Sequence, residues 1–534
     1  MAIQAPYFPI IYVRGFAATM GEIEDATASP YMGFNDGATK IRQRHDRAIV
    51  RFIFESPLVR LMKDEKYIDA FRDGAEIDED ARCPSRSVWI FRYYEQASKD
   101  LGTGRRQTIP DIAADLRRFI LRVRKNVCGG NAADRRKFRV HLVAHSMGGL
   151  VVRCYLQNLC VHGSGDPIVD ADLGLAPRTA GAPVPDTVHL VDRVFTYATP
   201  HNGIDLAGVN TPDLGFLDPF HVRNFNRGEM RSFLTLGDGD TDGSRVDSLN
   251  GAFPESRFFS LVGTNYQDYG AFGSLARRAT GPMSDGLVMI ANAAVRDSPR
   301  AFVHRSHSGH YGIVNSEEGY QNLRRFLFGD LRVDAQLVTD ALTLPPAVQK
   351  EVDKGRDVRA SYHIDTSAQV RGATCFLHER RFAHASAILE SYDELVKNRK
   401  AVFLFTGFLM EKLRTTTARE DPALAFAVGV SIRVPMYEVD GRFFLKNHFE
   451  GGPVFEETIT FRVLLENKKA PLHYGLASVD GMGVATRPAP LVATADGGAG
   501  FEIPLGFDPR DPSPPRPGFR GTMRLTAQRS RSVR

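Results

Sequence analysis

Short hydrophobic runs rich in β-branched and aromatic residues recur through the first 330 residues, with helical patterns between them. The runs are IIYV at 10–13, VWIFRYY at 88–94, FRVHLVA at 138–144, RVFTYAT at 193–199, FFSLVGT at 258–264 and AFV at 301–303. In one helical pattern, apolar residues share a face at Ile112, Leu116, Phe119, Ile120 and Val123. Strands that alternate with helices in this way predict an α/β fold with a mostly parallel sheet.

The pattern changes near residue 330. A helix is predicted just before it, where Asn315 and Glu318 resemble a capping box. Beyond it, strand-like runs such as LRVDAQLV, AFAVGVSIRV and ETITFRVLL dominate, and SAILESYDELVKN at 386–398 is the exception with a helical period. We therefore predict two domains, an α/β domain over 1–330 and a β-rich, sandwich-like domain over 331–534.

Composition narrows the class of protein. Hydrophobic residues make up 43% of the 534 residues and charged residues 25%, which is enough apolar material for a large core. The net charge of +5 is too small to favour nucleic acid as a partner. The five cysteines are an odd number without paired metal-ligand spacing, which fits reduced thiols.

Neither end of the argument about membranes favours an integral protein. The longest nearly apolar run, AVFLFTGFLM at 401–410, is half of the roughly 20 residues that a membrane-spanning helix needs. The first residues, MAIQAPYFPIIYVRGF, contain neither a basic region before the apolar stretch nor a small-residue cleavage site. We therefore expect a soluble, cytoplasmic protein without a transmembrane segment.

The segment FRVHLVAHSMGGLVVRCYL joins a buried-type strand directly to an apolar helix, and Ser146 falls on the turn between them. Ala144 and Gly148 are small, as a sharp turn with close neighbouring segments requires. The first N–H groups of the helix, beginning with that of Met147, can donate to a developing negative charge. Ser146 is therefore a candidate nucleophile.

This segment resembles the nucleophile elbow of lipases and esterases of the α/β-hydrolase family, with Ala144 in place of the first glycine of Gly-x-Ser-x-Gly. The resemblance covers about residues 8–330. It implies a doubly wound, mostly parallel sheet in a catalytic domain over 1–330, with insertions near 22–80 and 209–254 that form a cap or lid.

A second resemblance concerns the first strand. IIYVRGFAAT is similar to the family's His-Gly-x strand end, with Arg14 in place of the histidine. In the family, the residue after that glycine donates its backbone amide to the oxyanion hole. The resemblance therefore implies an oxyanion hole formed by the amides of Phe16 and Met147.

A serine nucleophile needs a base, and the base needs an acid that fixes its tautomer. The family order along the chain is serine, acid, histidine. MSDGLVMIANA resembles the family's Asp-Gly-Leu-Val segment and implies Asp285 as the acid. Among His304, His307 and His310 we favour His307, because Gly309 lets its turn lean toward the serine. His310, whose spacing to the last helix resembles that of many small lipases, is the alternative.

Two metal interpretations arise from spacing. The three histidines recur every three residues, but the serine and glycines among them disfavour a helix and no nearby acidic or cysteine ligand completes a zinc set. Asp238, Asp240 and Asp242 match the first half of a calcium loop, while Leu249 stands where a glutamate belongs. Weak calcium binding is a hypothesis, and the expected chemistry requires no cofactor.

The resemblance implies a serine hydrolase that cleaves carboxylic esters through an acyl-enzyme intermediate. Apolar residues in the first insertion either line an acyl pocket, which favours lipid or acyl esters and peripheral contact with a lipid interface, or belong to the core: Phe52, Phe54, Leu58, Leu61 and Met62. The turn ATPHNGIDLAG is expected to place His201 at the rim of the site. The alternatives are a thioesterase, a phospholipase, a polyester depolymerase with the same three residues, or an inactive hydrolase-fold binding protein.

Overall fold

A computed structural model describes residues 3–15, 31–43, 47–72, 75–93, 107–176, 183–206, 209–210, 222–237, 245–268, 280–309, 311–417, 420–440, 446–464, 471–493 and 499–530. Within these residues the chain forms two compact units. One contains residues up to 300 and 305–328, and the other contains 301–304 and the residues from 329 onward. That residues 1–330 and 331–534 are separate folding domains stays a prediction.

The strands in the described part of residues 3–328 follow one another in chain order. They are β1 (Ile10–Val13), β2 (Ala38–Gln43), β3 (Ile49–Phe54), β4 (Ile68–Asp69), β5 (Phe71–Arg72), β6 (Ala75–Glu76), β7 (Ser87–Phe91), β8 (Val140–His145), β9 (Val191–Tyr197), β10 (Asp205–Leu206), β11 (Val209–Asn210), β12 (Phe258–Gly263) and β13 (Arg300–Val303). The longer strands are the β-branched and aromatic runs that the sequence pattern predicts.

Seven of these strands form the central sheet, in the order β13-β12-β9-β8-β1-β7-β4. From β12 to β4, every neighbouring pair runs parallel. Strands β1, β7, β9 and β12 are buried along their whole length, as expected of a parallel sheet with both faces covered. The structure confirms the α/β fold with a mostly parallel sheet. The carboxyl ends of β1, β8 and β9 meet at one edge of it.

Helices connect and cover these strands. They are α1 (Pro57–Glu65), α2 (Ile109–Cys128), α3 (Ala132–Lys137), α4 (Met147–Cys154), α5 (Cys160–His162), α6 (Pro167–Leu173), α7 (Asp186–His189), α8 (Arg227–Phe233) and α9 (Glu317–Phe328). A π-helical turn at Tyr155–Leu159 joins α4 to α5, and 3₁₀ turns lie at Val222–Phe225, Glu255–Arg257 and Ile290–Asn292. Helix α2 begins with a capping box between Thr108 and Asp111, and it buries the predicted apolar face.

The second unit consists mainly of long strands. In chain order they are β14 (Leu331–Thr343), β15 (Val358–Val370), β16 (His378–Arg380), β17 (Ile388–Ser391), β18 (Val402–Leu409), β19 (Thr415–Thr417), β20 (Glu420–Asp440), β21 (Lys446–Leu464), β22 (Leu472–Leu476), β23 (Arg487–Pro488), β24 (Leu491–Ala493), β25 (Ala499–Gly506) and β26 (Gly518–Arg529). The helices α10 (Pro346–Val352) and α11 (Ala477–Asp480), a π-helical turn at Asp393–Lys397, and 3₁₀ turns at Phe382–His384 and Glu411–Leu413 lie between them.

These strands form two antiparallel sheets. The smaller has the order β18-β14-β26-β25-β24, and the larger follows β16-β15-β20-β21-β22-β23, with β17 paired to β15 and β19 paired to β20. Side chains from both sheets, such as Leu337, Val428, Ile459 and Met523, belong to one buried cluster. The structure thus confirms a β-rich C-terminal part with the layered core of a sandwich.

Two local predictions are wrong. Residues 386–398 do not form a helix, because β17 pairs with β15 and buries alternate side chains, and a short π-helical turn follows it. The capping box at α9 is also different: Ser316 Oγ accepts the Gly319 amide at 3.0 Å, while Asn315 donates its side-chain amide to the Gly33 carbonyl. Across the described ranges, no helix is long and apolar enough to span a membrane.

Candidate active site

Ser146 occupies the sharp turn between β8 and α4, with φ 52° and ψ −127°. A non-glycine residue at positive φ is strained, so the surrounding structure must hold it there. The Ser146 amide donates to the Tyr197 carbonyl at 2.9 Å, and Thr199 Oγ1 donates to the Ser146 carbonyl at 2.9 Å. The backbone of the turn is thereby fixed against the end of β9.

Close packing around this turn explains its glycines. A Cβ atom added at Gly148 would lie 2.5 Å from the carbonyl oxygens of Val13 and Arg14. One added at Gly15 would lie 2.7 Å from Ser146 Cβ. Carbon and oxygen atoms repel strongly at these separations. The end of β1 and the start of α4 can therefore approach Ser146 this closely only with glycine at both positions.

Asp285 lies in the loop that follows β12, and its own turn orients its carboxylate. Oδ1 accepts the backbone amides of Leu287 at 3.0 Å and Val288 at 2.8 Å, and Gly286 takes a φ of 100° that a side chain would disfavour. The residue is buried. With Oδ1 occupied by two amides, Oδ2 is left to bind a further donor.

His307 connects this carboxylate to the serine. Its Nδ1 lies 2.9 Å from Asp285 Oδ2, and its Nε2 lies 2.9 Å from Ser146 Oγ. The His307 amide also donates to the Asp285 carbonyl at 3.0 Å, which ties the two loops together. The structure thus brings Ser146, Asp285 and His307 together. His304 belongs to the second unit, where it stacks on His384 at 3.8 Å, and His310 lies outside the described residues.

The hydrogen-bonding pattern selects one arrangement of protons. An ionised carboxylate can only accept, so His307 Nδ1 must carry the proton that it donates to Asp285. Nε2 then has a free lone pair, and the Ser146 hydroxyl donates to it. A neutral imidazole in this tautomer can take the hydroxyl proton when Oγ forms a bond to carbon. The geometry is therefore suited to nucleophilic chemistry at Ser146.

Comparisons with known proteins find likeness in structure only. No family model and no curated protein matches the sequence. Lipase BlEst2 of Bacillus licheniformis is 16% identical with a TM-score of 0.27, over 58% of this chain and 89% of its own. Phospholipase PlaB of Legionella pneumophila is 13% identical with a TM-score of 0.31, over 84% of this chain and 91% of its own. Values this low leave activity to be argued from the residues of this chain.

The topology decides the fold of the first unit. A parallel sheet carries Ser146 on the turn from a central strand to a helix, and Asp285 and then His307 follow on loops beyond later strands. The first unit has the α/β-hydrolase fold. Its identification rests on strand order and on the placement of these loops, and it leaves the substrate open.

A second histidine supports the base in the α/β-hydrolase unit. His145 Nε2 lies 2.9 Å from the carbonyl oxygen of His307, and because a carbonyl only accepts, Nε2 donates. Burial, together with the neighbouring His307, lowers the pKa of His145 to about 3, so its ring stays neutral near neutral pH. Sequence reasoning missed this contact, because only the His-Ser dipeptide marks it.

The loop that carries His307 is also fixed from its other side. Arg305 is buried and donates from Nε and Nη2 to Glu318 Oε2 of α9 at 3.0 and 2.7 Å. The Arg305 carbonyl accepts the Asn265 amide at 3.1 Å. This charge-assisted contact holds the loop between α9 and the end of β12. The capping-box interpretation of Glu318 concealed it.

The oxyanion site is only partly described. Met147 is the first residue of α4, where backbone amides lack partners within the helix, but Phe16 lies outside the described residues. The adjoining backbone is held by Tyr93, whose hydroxyl donates to the carbonyls of Arg14 at 3.0 Å and Gly15 at 3.2 Å. The Arg14 guanidinium donates to the Met32 carbonyl.

Other predicted positions are placed differently. His201 does not lie at a rim: it is fully buried, its Nε2 is 3.1 Å from Thr196 Oγ1, and burial beside Arg153 holds its pKa well below 6.5. In the first insertion, Leu61 and Leu58 are buried. Core packing therefore accounts for them. Phe54 is buried as well, Met62 is exposed, and the side chain of Phe52 lies outside the described residues.

The metal predictions find no support in the described ranges. Asp238, Asp240 and Asp242 lie outside the described residues, so the calcium hypothesis stays a prediction. Elsewhere in the described chain, no group of three or more histidine, cysteine, aspartate or glutamate side chains could hold a metal ion. The five cysteines are buried and free.

Proposed function

We propose that this chain is a serine hydrolase that cleaves carboxylic esters through an acyl-enzyme intermediate. The observation that carries the proposal is the pair of 2.9 Å contacts that join His307 to Ser146 on one side and to Asp285 on the other. In the proposal, Ser146 is the nucleophile, His307 the base and Asp285 the acid.

Each step moves one proton and exchanges one bond. As Ser146 Oγ bonds to the ester carbonyl carbon, His307 Nε2 takes the hydroxyl proton, and Asp285 stabilises the imidazolium that forms. The carbonyl oxygen becomes an anion that the Met147 amide and, by resemblance, the Phe16 amide would hold. The imidazolium then gives its proton to the leaving alcohol oxygen, and the Oγ–acyl bond remains. Water completes the cycle by the same sequence and releases the acid.

The proposed substrates are small-molecule or lipid esters, and no cofactor takes part. Ester, thioester, phospholipid and polyester substrates all present an acyl carbon to the same three groups, so the fold does not choose among them. A series of p-nitrophenyl esters from short to long acyl chains, with a matched thioester series, would rank these substrates. Rates that rise with acyl length would support lipid esters, and a preference for acetyl would contradict them.

Labelling with a fluorophosphonate probe tests the proposal against an inactive binding protein. The probe forms a covalent bond only with an activated serine, so we expect wild type to be labelled and Ser146→Ala to be unlabelled. Ser308→Ala, one residue from His307, is the matched control and should keep full labelling. A folded wild type that stays unlabelled would contradict the proposed chemistry and favour a binding function.

A further inference from the structure

The hairpin formed by β2 and β3 exposes large apolar side chains. Its antiparallel register pairs Thr39 with Ile53 and Gln43 with Ile49, which places these four residues on one face of the ribbon. Ile49 and Ile53 are 74% and 71% exposed. Two isoleucines this exposed on the same face of a short ribbon are costly in water, so they call for a partner surface.

The other face of the hairpin is attached to the α/β-hydrolase unit. Phe54 is buried and packs on Tyr320 of α9 with ring centroids 6.2 Å apart. Directly after it, α1 begins, and Arg60 of that helix donates to Glu317 at 2.5 Å. The Arg60 guanidinium also lies over the Phe54 ring at 5.9 Å. The exposed isoleucines therefore stand on a ribbon whose base is held in place by core and ionic contacts.

Charge identifies the kind of partner. Residues 38–54 contain one acidic residue, Asp46, and five basic residues: Lys40, Arg42, Arg44, Arg47 and Arg51. This segment alone thus has an excess of four positive charges, against +5 for all 534 residues. Basic side chains next to exposed aliphatic ones match an anionic lipid surface, which offers negative headgroups above an apolar layer. A purely polyanionic partner would leave the isoleucines uncovered.

Another exposed isoleucine provides a contrast. Ile168 in α6 is 82% exposed, more than either hairpin isoleucine, but the acidic residues Asp166, Asp170 and Asp172 surround it in sequence. An anionic surface would repel that segment. Exposure alone therefore does not define a lipid-binding surface in this chain, and the combination of exposed isoleucines with basic residues is what distinguishes the hairpin.

We propose that the β2–β3 hairpin docks the full chain onto anionic lipid bilayers, with Ile49 and Ile53 entering the interfacial layer and the basic residues contacting headgroups. The inference is independent of ester hydrolysis, because none of these residues contacts Ser146, Asp285 or His307 in the described structure. A catalytically dead protein should bind as well as wild type.

Sedimentation of the full chain with vesicles tests this. We expect binding to phosphatidylglycerol vesicles to exceed binding to phosphatidylcholine vesicles by about tenfold or more, and to weaken as salt shortens the screening length below about 10 Å. Ser146→Ala should bind like wild type, so loss of hydrolysis and loss of docking can be told apart. Equal binding to both vesicle types, or none to either, would overturn the proposal.

Substitutions separate the apolar from the ionic contribution. The double variant I49S/I53S should lose about tenfold or more of its affinity for phosphatidylglycerol vesicles, since two aliphatic side chains no longer enter the interface. Because both side chains are exposed, its thermal unfolding and its hydrolysis of a water-soluble ester should match wild type. The control I168S should bind as wild type does.

Other occupants of this surface would give different results. A polyanion site would show binding that I49S/I53S leaves unchanged and that double-stranded DNA competes away, and this would overturn the lipid assignment. A site for a second copy of the chain would show an oligomer in sedimentation equilibrium that I49S/I53S dissociates while vesicle binding is unchanged. That outcome would also contradict docking to lipid.

Discussion

In the α/β-hydrolase unit, β9 and β12 are buried along their whole length, and polar side chains of the site follow such strands on turns and loops. In the second unit, β14 and β15 instead bury about every other residue, and a histidine such as His378 is buried within a strand. His307 has both ring nitrogens directed at a carboxylate and a hydroxyl, whereas His378 packs edge-on against Phe302 at 5.4 Å. The comparison teaches that burial of a histidine is common to both units, while its orientation by defined acceptors distinguishes the candidate site.

Replacing each of these histidines by alanine should break the comparison most clearly. His307→Ala removes the group that takes the Ser146 proton, so we expect kcat for an activated ester to fall about 10⁴-fold or more. His378→Ala leaves a cavity in the second unit, and its free energy of unfolding should fall by about 2 kcal/mol with kcat unchanged. Steady-state kinetics and urea unfolding measure both. An equal loss of kcat in the two variants would contradict the assigned base.

Asp285→Asn sharpens the same contrast for carboxylates. The amide can donate to Nδ1 of His307 and so favours the tautomer that leaves Nε2 protonated, and kcat should fall by about 10⁴-fold. The control in the second unit is Glu390→Gln, which alters a carboxylate that accepts from Lys400 Nζ at 2.7 Å. Its kcat should equal that of wild type. Wild-type kcat in Asp285→Asn would exclude the proposed acid.

Two glycines compare close packing at the site with open space elsewhere. In Gly148→Ala the new Cβ would meet two carbonyl oxygens at 2.5 Å, and we expect about 2–3 kcal/mol of lost stability together with reduced kcat. Gly452 of β21 has no atom within 4 Å of an added Cβ, so Gly452→Ala should change stability by less than about 0.5 kcal/mol. Thermal unfolding distinguishes them, and similar values would contradict the close approach of β1 to α4.

The smallest effect concerns the pH dependence of stability. His145 has a folded-state pKa of about 3, below its ordinary 6.5, so between these values the unfolded chain binds more protons and acid destabilises the native state. His145→Gln should therefore reduce the slope of unfolding free energy against pH in this window by up to about 1.4 kcal/mol per pH unit. Above pH 7 the two slopes should agree. An unchanged slope at acidic pH would argue against a buried neutral ring.

Local features were predictable from the sequence. The strand-to-helix turn at Ser146 follows from small residues between a β-branched run and an apolar helix, and the parallel sheet follows from the alternation of such runs. Asp285 stands out because an Asp-Gly turn leaves a short-range mark in sequence. That Ser146, Asp285 and His307 act as nucleophile, acid and base stays a prediction, although the structure brings their side chains within hydrogen-bond distance.

Features that depend on distant contacts were not predictable. The contact of His145 with the His307 carbonyl joins residues 162 positions apart, and no local pattern encodes it. Likewise, Glu318 binds Arg305 rather than capping its own helix, because the loop before α9 folds back onto it. At 386–398, pairing of β17 with β15 overrides a helical period, since strand pairing is decided by the partner and not by local propensity.

Mass analysis of a quenched reaction tests the central claim most directly. The protein would be mixed with a p-nitrophenyl ester, stopped in acid during the first turnover and digested. We predict that the peptide containing Ser146 gains the mass of the acyl group, and that this adduct is absent in His307→Ala. An acyl group on any other residue, or product released with no acylated peptide at any time, would contradict the account.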